Sequence, residues 1–298
     1  MGRKRAEEWL GGRACLHIRD IVVRSPDVYF IAVPDHALPE VAADLAALLP
    51  SSQSPLTPAS RPLTPSSSRS QSGPVVAHTS GATTVSVLLP CERVGASTLV
   101  FHPLQTFSDP IAHYHCFAGA AVAITPLSPE PAAPATVLGY ALAEILGARP
   151  FLLADEKRGL YHAAATLACN YFVALEHHSR DLFVKSGLPA DDALSLFLPL
   201  VRATLNNIEE SGTVLALTGP LSRGDTETIR GHLAALKLEA PDLLPMYRAL
   251  ALAALDVVRM RAEMKADTID ELADLLWPPQ EDDGTTGPVS HPSRDRSR

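Results

Sequence analysis

The sequence predicts an α/β half built on a parallel sheet, followed by an all-α half. Three observations carry that expectation. Short apolar runs recur at Val28–Val33, Val75–Ala77 and Thr98–Phe101. Each ends in polar or turn-forming residues: Pro34-Asp35, His78-Thr79-Ser80-Gly81-Ala82, and His102-Pro103-Leu104-Gln105-Thr106-Phe107. Such groups suit the C-terminal edge of a parallel sheet, where ligands of open α/β sheets bind. Beyond Asp155 the apolar period is helical throughout.

Taken in order, residues 4–11 read as a short helix and 28–33 as a buried strand. Pro39–Leu49 places Val41, Leu45, Leu48 and Leu49 at the spacing of a crossover helix. Residues 50–74 are mostly Ser, Pro, Thr, Gln and Arg, with little to bury, and read as a disordered insertion in a helix-to-strand loop. The alternation then resumes with strand 75–77, a helix near 83–93, and strands at 98–101 and 120–124. A helix over 133–146 ends at Gly147, and a last strand lies near 150–153.

Asp155 is the expected N-cap of a helix whose apolar stripe is Leu160, Ala164, Leu167, Tyr171 and Leu175. Pro189 opens another, with Leu194, Phe197, Leu198, Val201, Leu205 and Ile208 inward and Gly212 closing it. Asp225 caps a helix to Leu236, and Pro241-Asp242 opens one to about Met264. Thr268 with Glu271 forms a capping-box pattern for a final helix. The expected domains are 1–154 and 155–277, with a disordered tail over 278–298.

A net charge of −8 without a basic stripe argues against nucleic-acid binding. Four cysteines, Cys15, Cys91, Cys116 and Cys169, are scattered without a C-x-x-C pair, and the charged N-terminus has no apolar core segment. Reduced thiols in the cytoplasm are expected. The Ala/Leu-rich stretch 249–255 is too short to span a bilayer. His113, His115 and Cys116, even with His102, match no ligand spacing, so no metal is expected. His177-His178 suits a helix C-terminal region, where the dipole favours a cation.

Several strings together resemble an uncharacterised bacterial family that joins a Rossmann-like NAD(P)-binding half to a helical domain of unknown function (number 2520). They are Ala32-Val33-Pro34-Asp35-His36-Ala37-Leu38, His78-Thr79-Ser80-Gly81-Ala82, His102-Pro103-Leu104-Gln105-Thr106-Phe107 and Phe117-Ala118-Gly119. The set continues with Tyr161-His162-Ala163-Ala164-Ala165 leading to Asn170-Tyr171, then Thr218-Gly219-Pro220 with Arg223-Gly224-Asp225. The resemblance implies a nicotinamide-dependent oxidoreductase, similar in plan to pyrroline-carboxylate and ketopantoate reductases. It also implies a second half like the C-terminal domain of 6-phosphogluconate dehydrogenase.

One piece departs from that plan. Such proteins open with a strand, a G-x-G-x-x-G turn and a helix whose N-terminus holds the cofactor pyrophosphate. The sequence has no such string, and Gly11-Gly12 has neither the spacing nor a preceding strand. Relative to the family, residues 4–11 correspond to the helix after the second strand. Either the start lies further upstream or the usual grip has been lost.

For each residue singled out, two readings stand. Val33-Pro34-Asp35 either touches a cofactor by backbone approach or forms a tight strand-to-helix turn. Thr79 and Ser80 either bond nicotinamide or substrate, with Gly81 allowing close approach, or Ser80 caps the next helix. His102 either transfers a proton or locks the loop around Pro103, and Gln105 and Thr106 stand ready to orient a substrate. His162, Thr166 and Asn170 recur every four residues and form one polar stripe. That stripe faces either a cleft between the halves or another helix. In β-hydroxyacid dehydrogenases a catalytic lysine precedes a comparable asparagine by one turn. Thr166 stands there instead, so lysine-assisted reduction is not expected. Arg223 either grips a substrate carboxylate or pairs within its own loop.

The favoured expectation is a cytoplasmic reductase or dehydrogenase using NADP or NAD. It places small-molecule substrate between the halves, His102, His162 and Asn170 at the chemistry, and a homodimer through the helical half. The rival is a non-catalytic dimeric binding or scaffold protein that has lost cofactor binding.

Overall fold

A computed structural model describes residues 17–50, 73–107 and 114–277. The expected helix at 4–11, nearly all of the insertion, His113 and the tail from Pro278 lie outside the described residues. The chain divides into two units, residues 1–174 and 175–298, a junction later than the expected 154/155.

In the first unit a short helix α1 (Ile18–Val22) precedes strands β1 (Val28–Ile31), β2 (Val75–His78), β3 (Ser97–Leu104), β4 (Ala121–Pro126) and β5 (Arg149–Leu152). These pair in the order β1-β2-β3-β4-β5. The β1–β2, β2–β3 and β4–β5 pairs are parallel, as expected, while β3–β4 is antiparallel. β4 returns directly alongside β3, with Leu104 opposite Ala121, an arrangement that needs no crossover helix.

Side chains alternate between the two faces, with the two-residue period of a strand. Tyr29, Ile31 and Val76 join Leu38, Ala42 and Leu45 of α2 (Leu38–Leu48) and Cys91 of α3 (Leu89–Arg93). Val75, Ala77, Leu99, Phe101, Val122 and Ile124 pack on the other face against Ala135 and Ala143 of α4 (Pro134–Ile145). A Cβ at Gly139 would lie 3.0 Å from both Leu99 and Ile124, so glycine lets α4 approach the sheet closely.

β3 runs further than the expected 98–101. Beyond Val100, opposite His78, it has, among the described residues, only β4 beside it, with His102 facing Ala123 and Pro103 facing Val122. Proline is tolerated there because that edge of β3 has left β2 behind. The His-Pro-Leu string thus belongs to a strand rather than to the loop after one.

Two helices follow β5. Helix α5 (Arg158–Ala168) and α6 (Asn170–Lys185) are separated at Cys169 (φ −121°, ψ −64°). Asp155 does not cap α5: it sits in a 3-10 turn and its carboxylate accepts the Val85 N–H at 2.8 Å. The expected apolar stripe is inverted. Leu160, Leu167 and Tyr171 are exposed, whereas Arg158 is fully buried.

In the second unit, α7 (Ala193–Ala216), α8 (Thr226–Glu239), α9 (Leu244–Arg261) and α10 (Ala266–Leu276) follow one another. Its core joins Ile229 and Leu233 of α8, Leu255 and Val258 of α9, and Leu272 and Leu276 of α10. Asp225 caps α8 as expected, its carboxylate accepting the Thr228 N–H at 3.0 Å. Helix α7 departs from expectation. Phe197 is buried and stacks on Phe183, centroids 5.0 Å apart, but Leu194, Leu205 and Ile208 are exposed. Gly212 (φ 75°) breaks α7, which resumes to Ala216. Thr268 lies inside α10, whose N-cap is Lys265; its methyl faces Gly224 instead of capping.

Candidate functional site

The chain after β2 folds around a buried arginine. Arg158 Nε donates to the Thr83 carbonyl at 2.9 Å, and Nη2 donates to the Gly81 carbonyl at 3.0 Å and to the Ser80 carbonyl. Nη1 donates to Thr125 Oγ1 at 3.0 Å, and that hydroxyl donates onward to the Leu153 carbonyl at 2.7 Å. One planar fork thus satisfies three carbonyls of a single turn. Burial lowers the Arg158 pKa, while the nearby Asp155, Tyr161 and Asp35 favour its charge.

His78 bolts the same turn from below. Its Nδ1 accepts the Ser80 N–H at 3.2 Å, leaving the ring proton on Nε2 to meet the Thr84 carbonyl at 3.3 Å. Burial holds this imidazole down to about 4, so it is neutral at physiological pH. Ser80 Oγ accepts the Thr83 N–H at 3.0 Å, which closes the turn.

His102 stands over this turn from β3. Its Nδ1 lies 2.9 Å from the Tyr161 hydroxyl, and the two rings meet edge to face at 5.5 Å. Its ring centroid is 6.4 Å from that of His162. Burial, with Arg158 and His162 nearby, lowers its pKa to about 4. A Cβ at Gly81 would fall 2.8 Å from His102 Nε2 and 2.5 Å from His162 Cδ2. Gly81 therefore makes room for two imidazoles, whereas the sequence suggested ligand approach.

A cleft of about 640 Å³ opens beside this group. From the strand side it is lined by His102, Gln105 and Thr106; from α5 and α6 by Tyr161, His162, Thr166 and Asn170. The structure thus brings together the three residues expected at the chemistry and three of the four expected to bind substrate. All belong to the first unit, whereas the fourth, Arg223, is an exposed residue of the second.

Not every side chain is equally available. Gln105 Nε2 donates to the Cys116 carbonyl at 3.0 Å, and its Oε1 accepts the Thr106 N–H at 2.8 Å. Thr166 Oγ1 donates to the His162 carbonyl one turn back at 3.0 Å. His162 and Asn170 are exposed.

The expected cofactor residues lie along the strand ends. Val33 is half-buried, while Pro34 and Asp35 are exposed at the start of a 3-10 turn. Thr79 borders an apolar pocket of about 290 Å³ between Phe30, Phe101 and Leu142. Ser80 and Gly81 have their carbonyls bound by Arg158. Exposed turns and a free hydroxyl suit the ribose and amide parts of a nicotinamide cofactor. A glycine-rich pyrophosphate turn is not among the sequence's strings. Among the described residues, no group of three or more His, Cys, Asp or Glu is placed to hold a metal, and no helix is long and apolar enough to cross a membrane.

Arg158 and Tyr161 were missed by the sequence reading as site residues. Their signal was spacing: Arg158, Tyr161 and His162 share one turn of α5 face, and an arginine opening an otherwise apolar helix is an anomaly.

Comparison with known proteins bears on the fold. None of the curated proteins matches the sequence. Protein TM1727 from Thermotoga maritima superposes with a TM-score of 0.62 at 20% identity, over 87% of this chain and 87% of that one. Protein BF3122 from Bacteroides fragilis gives 0.61 at 21% identity, over 84% and 83%. The pyrroline carboxylate reductase of Plasmodium falciparum, solved with NADP bound, gives 0.51 at 11% identity, over 89% and 82%. Residues 126–254 match the family model described as "Domain of unknown function (DUF2520)". The resemblance read from the strings is thus borne out, with a Rossmann-like α/β sheet followed by helices and the 2520 domain spanning the junction of the two units.

Proposed function

We propose that this protein is an NAD(P)-dependent oxidoreductase acting on a small carbonyl or imine compound. The observation that carries the reading is the convergence of His102 and His162 on Gly81, with the Tyr161 hydroxyl on His102, beside a 640 Å³ cleft. Similarity in fold to a pyrroline carboxylate reductase solved with NADP supports the cofactor class. The cofactor, when bound, supplies a hydride to the substrate carbon. Val33, Pro34, Asp35 and Thr79 hold it along the strand ends, with Ser80 and Gly81 shaping that edge. Substrate lies in the cleft, oriented by Gln105, Thr106, Thr166 and Asn170, and His102 serves the proton with His162 beside it.

The helical unit supports a homodimer as part of this reading. Leu196, Leu200, Leu205 and Leu215 of α7 are more than half exposed, and covering each is worth roughly 1.5–3 kcal/mol. In such a dimer Arg223 is free to serve either subunit.

The test is NADPH and NADH oxidation against a panel of aldehydes, ketones and cyclic imines, with His102→Ala as control. Turnover lost in that variant supports the reading. Equal turnover in both proteins contradicts His102 as the proton-handling group.

A further inference from the structure

Resting on the oxidoreductase reading, we infer that Tyr161 and His102 form a two-member proton relay, in which the Tyr161 hydroxyl donates to His102 Nδ1 and the Nε2–H of the same ring is the proton passed to a substrate in the cleft that both side chains line. The geometry is specific. The hydroxyl lies 2.9 Å from Nδ1, so the two atoms share one hydrogen. The other ring nitrogen packs beside Gly81, 2.8 Å from where a Cβ would stand, so the missing side chain is what lets the ring sit there. Both side chains line the cleft.

Electrostatics explains why a lone imidazole is the wrong acid here. The groups that act on His102 are Arg158 and His162 of α5, His78 of β2, Asp35 after β1, and Tyr161 itself. Arg158, His162 and His78 disfavour a second ring proton, Asp35 favours it, and burial outweighs them all, leaving the ring near 4. At neutral pH His102 therefore carries one proton. Giving that proton up alone would leave an imidazolate. Tyr161 removes the difficulty by placing the negative charge on a phenolate, a weaker base than an imidazolate: burial raises its pKa and keeps the phenol protonated at rest, while the nearby Arg158 favours the phenolate.

The step balances. A reduced nicotinamide supplies the hydride that forms the new C–H bond, and the carbonyl π pair moves to oxygen. The Nε2–H bond breaks as an O–H bond forms on the product. The Tyr161 O–H bond breaks as an N–H bond forms at Nδ1, so the ring stays neutral and its proton changes nitrogen. The resting state returns when Nε2 takes a proton from water in the cleft and the phenolate takes the Nδ1 proton back, the hydroxide leaving to solvent.

The relay is tested without a substrate. Protein labelled with ¹⁵N-histidine is compared by NMR with Tyr161→Phe, the His102 signals being assigned by their loss in His102→Asn. The inference predicts a proton on Nε2 and an acceptor Nδ1 between pH 5.5 and 8 in the wild-type protein. It predicts that Tyr161→Phe moves a substantial population to the Nδ1–H form. A wild-type proton on Nδ1, a protonation midpoint near 6.5, or unchanged tautomers in Tyr161→Phe overturns it. The wild-type spectrum decides even if the variant does not fold. Failure of nicotinamide binding with the expected tautomer present overturns the oxidoreductase reading instead.

Discussion

The Arg158 guanidinium reaches back to hold the Gly81 carbonyl at 3.0 Å, so the opening turn of α5 fixes the turn after β2. The same helical turn carries His162 to that spot and Tyr161 to His102 beside it. A structural cation and the polar groups of the site are therefore one unit, and disturbing either disturbs both.

Removing that cation unsatisfies several buried carbonyls together. Arg158→Ala is expected to lose about 3–5 kcal/mol of stability, since each stranded group costs roughly 1–3 kcal/mol. Arg158→Lys keeps the charge without the fork and should recover less than half of the loss. Urea denaturation monitored by circular dichroism measures both. A loss within 0.5 kcal/mol for Arg158→Ala would show that the clasp contributes little.

Gly81 leaves room for two imidazoles, so a methyl there collides with both. Gly81→Ala is expected to cost roughly 1–3 kcal/mol through overpacking. His162→Ala vacates the nearer obstacle at 2.5 Å, and the double variant should recover much of that cost. Additive losses in the double-mutant cycle would contradict this account of the glycine.

Acid should weaken the fold through the buried histidines. His78 and His102 have folded pKa values of about 4, below the ordinary 6.5. Between those limits the unfolded chain binds more protons than the native one, so stability rises with pH across that window. It is fully present above 6.5 and lost as pH falls toward 4. For His78 alone the loss is on the order of 3 kcal/mol. Denaturation at pH 4.5 and 7.5 checks the sign, and His78→Asn should flatten the slope.

Thiol chemistry reports on the cleft. Burial and Glu92 raise Cys91 to about 11, and its Sγ donates to the Ala42 carbonyl, so it should resist alkylation in the folded protein. Cys169 is exposed and lines the cleft. Maleimide is expected to label Cys169 well ahead of Cys91, as peptide mass mapping would read, and the label should obstruct substrate entry. Faster labelling of Cys91 would contradict the burial described.

Much of the α/β order was legible because a strand's apolar run and a helix's period are local signals. The strand ends near Asp35 and Thr79 followed from them, whereas β3 runs on through His102 to Leu104. The clasp was not legible, because it joins Arg158 to carbonyls some 75 positions earlier, and backbone acceptors leave no mark on composition. Nor was the role of His78: a histidine at a strand end reads the same whether it faces a ligand or its own turn. The exposed stripe of Leu160 and Leu167 was misread for a related reason, since periodicity shows that a face is apolar and not what covers it.

The measurement that bears most directly on the proposed function is calorimetric titration of the full chain with NADPH and NADH. The account predicts saturable binding of at least one of them, weakened by substitution at Thr79 or Asp35 and preserved in Tyr161→Phe. Absence of binding by either cofactor to folded protein would contradict it and leave the non-catalytic dimeric reading in its place.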